Sequence, residues 1–89
     1  MWQAKIHVFL KKDILDPQGS AIKRILKNMG FDSVENVRVG KNVVLTFDDD
    51  LPREKVEKQT DEICRKLLAN PVIEDYRFEI EPAAEAGSR

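Results

Sequence analysis

Apolar and polar residues alternate near the amino terminus in the two-residue period of a β-strand. From Gln3 to Lys11, one face carries Ile6, Val8 and Leu10, and the other carries Lys5, His7 and Phe9. This alternation predicts a first strand with one face on a core and a second face that is not wholly polar.

The next hydrophobic pattern has the period of a helix. An apolar stripe at i, i+3, i+4 and i+7 is formed by Ile22, Ile25, Leu26 and Met29. Asp16-Pro17 is typical of an N-cap followed by the first helical position, and Gly30 is typical of a left-handed C-cap. Gly19 lies in the first turn, where glycine costs up to about 1 kcal/mol relative to alanine. We therefore expect another backbone, or a ligand, to approach closely at Gly19.

The stretch Val34–Phe47 contains two runs rich in β-branched residues, separated by Gly40-Lys41-Asn42. Glycine and asparagine tolerate the positive φ of a tight turn, so this stretch predicts a β-hairpin at the centre of a sheet. A second helix is predicted after Asp48–Pro52, and Asn70-Pro71 is expected to end it. Its predicted inward stripe is Val56, Thr60, Ile63 and Leu67. Alternation from Val72 to about Glu81 predicts a last strand.

The element order βαββαβ predicts an α+β, ferredoxin-like fold, with an antiparallel sheet of order 4-1-3-2 and both helices on one face. We expect one domain over residues 1–82 and a flexible tail over residues 83–89, because the tail has no apolar pattern. The bare face of such a sheet would be more apolar than a solvated sheet usually is. We expect copies of the chain to associate through this face, at His7, Phe9, Val44 and Thr46.

Composition limits the classes of function. The 89 residues leave little room for a buried catalytic cavity, and a net charge of -1 favours neither nucleic acid nor an anionic membrane as a partner. No apolar run approaches the roughly 20 residues that a membrane helix needs. The first residues alternate like a strand and lack the apolar block of a secretory signal, so we expect a cytoplasmic protein.

Motifs of catalytic or metal chemistry are not found in the sequence. His7 has no carboxylate beside it on its predicted face, and Cys64 lies next to the apolar stripe of the second helix. Glycine-rich nucleotide loops and CxxC pairs are missing. We predict no catalytic, cofactor-binding or metal-binding residue in this chain. An anion bound by Arg38 and Lys41 at the predicted hairpin is an alternative, although basic hairpins are more often simply solvated.

Three short stretches resemble the PurS family, the small subunits of phosphoribosylformylglycinamidine synthase. They are Leu15-Asp16-Pro17-Gln18-Gly19, Val37-Arg38-Val39-Gly40-Lys41, and Ala69-Asn70-Pro71-Val72-Ile73-Glu74-Asp75-Tyr76. The resemblance runs from about Lys5 to Glu81 and implies a small ferredoxin-like protein that forms a dimer or tetramer. It also implies a non-catalytic subunit that bridges a glutaminase subunit and a large ATP-dependent synthetase subunit and supports ammonia transfer between them. ATP and magnesium are expected in the large subunit.

The three motifs lie on predicted loops or element ends, where a rigid scaffold presents recognition residues. Contacts to the partner subunits are therefore expected at Arg38, Lys41, Gly40, Gln18 and Asp75. A stand-alone regulatory domain that binds a small metabolite at a dimer interface is the alternative. An acylphosphatase-like hydrolase is disfavoured, because the connection after the first strand, Asp13–Asp16, is acidic where such an enzyme needs an arginine in an anion loop.

Overall fold

The computed structural model describes residues 1–48 and 50–83, which form an antiparallel sheet and two α-helices. In chain order the elements are β1 (Trp2–Leu10), α1 (Pro17–Asn28), β2 (Gly40–Phe47), α2 (Arg53–Ile63) and β3 (Glu74–Pro82). One turn of π-helix, Cys64–Leu68, continues α2. Central β1 pairs antiparallel with both other strands, in the order β2-β1-β3. The predicted α+β class is confirmed.

The predicted central hairpin is wrong. Residues 34–39 form no strand, and Gly40-Lys41-Asn42, assigned to the turn, begins β2. The sheet of the described residues has three strands. They correspond to the predicted strands 4, 1 and 3, in that spatial order, and the predicted strand 2 is not formed. The cause lies at Val39, whose N–H donates to Asp16 Oδ2 at 2.7 Å instead of to a neighbouring strand.

The core lies between α2 and the sheet. Ala4, Ile6 and Val8 of β1 are at most 1% exposed, and Val56 and Cys64 lie opposite them in the same buried cluster. Helix α2 packs mainly over β1 and β3. On β2, the residues that face the same side are only half-buried; they are Val43, Leu45 and Phe47.

Helix α1 lies outside this core. Neither the buried cluster nor the partly buried hydrophobic residues packed against it include a residue of α1. Its stripe is present as predicted, but Ile22, Ile25 and Met29 are 41%, 55% and 64% exposed. The molecule is correspondingly elongated, with a radius of gyration of 16.8 Å, whereas a compact chain of this length has about 12 Å. The predicted packing of both helices on one face is therefore observed for α2 and not for α1.

The predicted ends of α1 are confirmed. Asp16 is the N-cap, its Oδ1 accepts the Gly19 N–H at 2.9 Å, and Pro17 begins the helix. Gly30 has a φ of 97°. The N–H of Gly30 donates to Lys27 O at 3.1 Å and that of Phe31 to Leu26 O at 2.9 Å, which together form a Schellman motif.

The inward stripe of α2 is only partly as predicted. Val56 and Thr60 are fully buried, but Leu67 is 77% exposed. The Ala69 N–H donates to Cys64 O at 2.9 Å, five residues back, so this turn contains one residue more than an α-helical turn. The extra residue moves Leu67 out of the core and places Ala69 there, at 7% exposure.

The predicted flexible tail, residues 83–89, falls almost wholly outside the described residues. Only Ala83 is described, and its N–H donates to Met1 O at 2.8 Å. Along residues 1–48 and 50–83, no helix is both long enough and apolar enough to span a membrane.

Candidate partner-contact surface

The three motifs meet at one end of the sheet, which we call the motif end (residues 15–19, 37–41 and 69–76). Strand β1 finishes here, whereas β2 and β3 begin here. The strand register places Phe9 opposite Gly40 on one side and opposite Asp75 on the other. The antiparallel pairing thus brings stretches that are far apart in sequence onto one surface.

Asp16 joins the first two motifs. Its side chain is 5% exposed, and its two oxygens accept the N–H groups of Gly19, at 2.9 Å, and Val39, at 2.7 Å. The hydrogen bond from Val39, then that from Gly19 and the nearby charge of Arg38, hold the pKa of Asp16 below its usual value, although burial opposes this. The ionised carboxylate therefore fastens residues 37–39 to the first turn of α1.

Close backbone packing explains two glycines of the motif end. A Cβ at Gly19 would lie 2.1 Å from Val37 O, which confirms the expectation that another backbone approaches there. A Cβ at Gly40 would lie 2.7 Å from Val8 O. At both positions, backbone atoms of the same chain therefore leave no room for a residue with a Cβ.

Arg38 makes intramolecular hydrogen bonds that the sequence did not indicate. Its guanidinium donates to Lys11 O at 2.9 Å, and to Leu10 O and Ile14 O at 3.4 Å each. Arg38 thus binds the carbonyl groups of the connection between β1 and α1. Since no hairpin turn exists at residues 40–42, the anion nest suggested for Arg38 and Lys41 loses its structural basis.

The other candidate contact residues border Phe9. Gln18, Gly40 and Lys41 line a depression of about 240 Å³ together with Phe9 and Glu74. Asp75 lies on the opposite side of Phe9, where its Oδ1 pairs with Lys11 Nζ at 2.8 Å. The structure thus brings all five predicted contact residues to the motif end, with Arg38 beside α1 and the other four around Phe9.

A second depression of about 530 Å³ lies beside Asp75. Arg65 and Tyr76 line it, and both belong to a hydrogen-bonded group that sequence reasoning missed. The Tyr76 hydroxyl donates to Asp61 Oδ1, and Arg65 Nε donates to Asp61 Oδ2 at 2.9 Å. The hydrogen bond from Tyr76, followed by that from Arg65, lowers the pKa of Asp61, and the same hydroxyl contact raises the pKa of Tyr76. The i,i+4 spacing of Asp61 and Arg65 was visible in the sequence, but the partner from β3 was not.

The predicted self-association face lies on the side of the sheet away from α2. His7, Phe9, Val44 and Thr46 all point to this side, and Val44 is 48% exposed. Arg77 lies over the Phe9 ring, 5.7 Å from its centroid, and Lys5 pairs with Glu81 at 2.6 Å. This face is therefore more polar than the alternation in β1 alone suggested.

Within the described part of the chain, no group of three or more histidine, cysteine, aspartate or glutamate side chains is placed to hold a metal ion. His7 lies in register between Asn42 and Arg77, so no carboxylate stands directly opposite it. Cys64 is fully buried, and burial raises the pKa of its thiol.

The model of the family described as PurS, phosphoribosylformylglycinamidine (FGAM) synthase, matches residues 3–82. The chain belongs to the PurS family. The phosphoribosylformylglycinamidine synthase subunit PurS of Bacillus subtilis is 46% identical over 85 residues, which cover 91% of this chain and 94% of that protein. The PurS subunit of Methanocaldococcus jannaschii is 40% identical over 81 residues, which cover 91% of this chain and 96% of that protein.

Solved PurS structures share the fold. The crystal structure of M. jannaschii PurS matches with a TM-score of 0.84 and 38% identity, over 94% of this chain and 100% of that one. A chain in the structure of PurLQS from Thermotoga maritima matches with a TM-score of 0.81 and 29% identity, over 90% of this chain and 96% of that one. The PurS family match contains the whole motif end.

Proposed function

We propose that this chain is the small, non-catalytic subunit of a phosphoribosylformylglycinamidine synthase in purine biosynthesis. The observation that carries the proposal is membership of the PurS family over residues 3–82, together with the likeness to a chain of the PurLQS structure. The structure fits a protein that binds other proteins, since charged side chains such as Lys41 and Asp75 border shallow depressions at the motif end.

In this proposal the subunit bridges a glutaminase subunit and a large synthetase subunit in the cytoplasm. The large subunit binds ATP and magnesium and converts formylglycinamide ribonucleotide to its amidine, whereas this chain holds no cofactor. Ammonia that escaped to water at neutral pH would be protonated and would lose its nucleophilicity. A tightly fitted assembly that keeps the two active sites connected therefore favours the reaction without adding an acid or base of its own.

We assign the partner contacts to the motif end, with Lys41, Gln18, Gly40 and Asp75 around Phe9 and Arg38 beside them. The side chains of Lys41 and Gln18 are exposed and border the same depression. Arg38 has a second role, because its hydrogen bonds to three carbonyl groups shape the neighbouring connection. The open sheet face, with His7, Phe9, Val44 and Thr46, is proposed as a surface for self-association into a dimer or tetramer.

The first experiment measures glutamine-dependent amidine formation by the large and glutaminase subunits, with and without this protein. The proposal expects activity to depend on its addition, and expects the protein alone neither to turn over nor to bind the substrates. Unchanged activity would overturn the subunit assignment. Binding of a small metabolite by the isolated protein would instead favour a regulatory domain.

A charge reversal at Lys41 tests the contact surface. Lys41→Glu is expected to raise the concentration of this protein that gives half-maximal complex activity on the order of tenfold. The substitution removes a positive charge from the proposed interface and puts a negative charge in its place. Lys58→Glu, at an exposed position of α2 far from the motif end, is the matched control. Equal behaviour of the two variants would remove Lys41 from the proposed interface.

A further inference from the structure

A third depression, of about 400 Å³, lies beside the motif end at the start of α1. Three basic side chains line it, namely Lys12, Lys23 and Arg38. They come from the connection after β1, from the middle of α1 and from the segment that leads into β2. Folding therefore brings to one place three charges that are far apart in sequence. We call this depression the basic pocket.

Two of these charges lack an ion-pair partner. Along residues 1–48 and 50–83, neither Lys12 nor Lys23 takes part in an ion pair, whereas Lys5 and Lys11 each pair with a carboxylate of β3. A lysine without a partner keeps its charge available for a group from outside the chain. The basic pocket thus has two such groups on its wall, besides Arg38.

Two carboxylates at the pocket reduce this positive charge only in part. Asp16 is 5% exposed, and its oxygens accept backbone N–H groups. Asp13 is exposed and stands against three cations. The sequence around the pocket has the same excess, with five basic and two acidic residues from Leu10 to Met29, although the whole protein has a net charge of -1. The basic pocket is therefore a positive site on a slightly acidic protein.

Arg38 is held in place and keeps its charge. Its hydrogen bonds go to three uncharged carbonyl groups and use at most three of its five N–H groups. The contacts of Asp16 and Gly19 with residues 37–39 link this segment to the first turn of α1. This link directs the helix so that Lys23 lies at the same pocket as Arg38. The arrangement of the charges is thus set before a partner binds, which lowers the cost of binding.

The surroundings of the basic pocket favour a carboxylate of a protein over a free phosphate. Phosphate sites at a helix start use free backbone N–H groups of the first turn, but here the Gly19 N–H is bound to Asp16. Leu15, which is 75% exposed, lines the pocket and offers apolar surface that a protein segment can cover. Leu15 and Arg38 also belong to the motif end, so the pocket continues the surface proposed for partner contacts.

We propose that the basic pocket binds an acidic segment of a partner subunit, whose carboxylate groups lie between Lys12, Lys23 and Arg38. Opposite charges on the two surfaces speed their encounter and fix their relative orientation. The inference rests on the proposed function and adds to it the chemistry of the partner. Its tests measure the contact and the assembly rather than synthase activity.

Zero-length cross-linking tests the contact directly. A water-soluble carbodiimide joins a lysine amine to a carboxylate that touches it, and it is applied to the assembled complex of this protein with the large and glutaminase subunits. Peptide mapping by mass spectrometry is expected to show Lys12 or Lys23 bonded to an aspartate or glutamate of a partner subunit. The variant Lys12→Arg/Lys23→Arg keeps both charges without the amines, so it should assemble normally and lose these cross-links. Absence of such cross-links in the unmodified protein, or bonds only within this chain or to a second copy of it, would overturn the proposal.

Charge reversal measures what the contact contributes. Lys12→Glu/Lys23→Glu is expected to raise the concentration of this protein that gives half-maximal assembly on the order of tenfold, and to make assembly less sensitive to added salt. Lys55→Glu/Lys58→Glu makes the same change in net charge at exposed positions of α2 and is expected to assemble like the unmodified protein. Equal behaviour of the two double variants would overturn the assignment to the basic pocket alone. An unmodified protein that does not assemble with the two subunits would overturn both this inference and the proposed function.

Discussion

The two helices of this chain have similar patterns and different surroundings. Both carry an apolar stripe with polar residues outside it, yet Val56, Thr60 and Cys64 of the α2 segment are 0% exposed, whereas Ile25 and Met29 of α1 are 55% and 64% exposed. Helical periodicity predicts that one face of a helix needs a partner, and it does not say in which molecule the partner lies. The comparison shows that α2 supplies the core of its own chain, whereas the apolar stripe of α1 stays exposed on that chain.

The largest difference is expected when the same kind of truncation is made in each helix. Val56→Ala leaves a cavity in the core and is expected to lower the free energy of unfolding by about 2–3 kcal/mol. Ile25→Ala, measured by urea unfolding at a concentration where copies are dissociated, is expected to change it by less than about 0.5 kcal/mol. Similar losses in the two variants would show that α1 is buried within its own chain.

A substitution at the beginning of α1 tests the link that directs the helix. Gly19→Ala places a Cβ against Val37 O, so we expect the free energy of unfolding to fall by about 1–3 kcal/mol as residues 37–39 are displaced. Ser20→Ala, at the next and exposed position, is the control in the same denaturant titration. An unaltered midpoint for Gly19→Ala would mean that the two segments separate without cost.

A substitution at Thr60 of α2 is expected to stabilise the fold. Thr60 is fully buried, and its Oγ1 has no hydrogen-bond partner among the described residues. Thr60→Val replaces the hydroxyl with a methyl group of similar size, so the free energy of unfolding should rise by about 1 kcal/mol. A lower thermal midpoint for this variant would indicate that the hydroxyl is hydrogen-bonded in solution.

The smallest effect concerns acid stability. Because the pKa values of Asp16 and Asp61 are lowered in the folded state, both carboxylates stabilise the fold above their unfolded pKa, and this stabilisation is lost as the pH falls through the folded pKa. Asp16→Asn is therefore expected to flatten the decline of stability in acid, and Asp61→Asn is the counterpart on α2. Urea midpoints measured between neutral and acidic pH give the comparison. If the Asp16→Asn variant kept the full acid dependence of the unmodified protein, the Asp16 carboxylate at the start of α1 would not be a source of that dependence.

Features determined by neighbouring residues were predicted well from the sequence. The Asp16-Pro17 start of α1 and its Gly30 end depend on contacts within a few residues, and both are confirmed. The alternation of β1 is also confirmed, because a two-residue period is visible in the sequence whichever strands pair with it. The hairpin was mispredicted because the strand-like run at residues 34–39 gives its Val39 N–H to Asp16, 23 residues earlier in the chain. The π-helical turn was missed because amphipathic spacing assumes a constant number of residues per turn.

The candidate surface was found through its motifs, and its arrangement depends on strand register. Sequence position suggested that Gln18, Lys41 and Asp75 lie on exposed loops or element ends. Only the pairing of Phe9 with Gly40 and Asp75 shows that they surround one aromatic residue. The role of Arg38 could not be derived from the sequence, because the carbonyl groups that it binds belong to a connection 24 to 28 residues away.

The extra residue in the π-helical turn changes the direction in which the side chains and the backbone point where the chain leaves α2. In an α-helix each residue advances by about 100°, so a turn with one additional residue changes the direction of the following segment by that angle. Here the change puts the small side chain of Ala69 against the core and lets Asn70 begin the turn in which its O accepts the Glu74 N–H at 2.7 Å. The additional residue of this turn therefore changes the direction in which the chain approaches β3, the strand that carries Asp75 at the motif end.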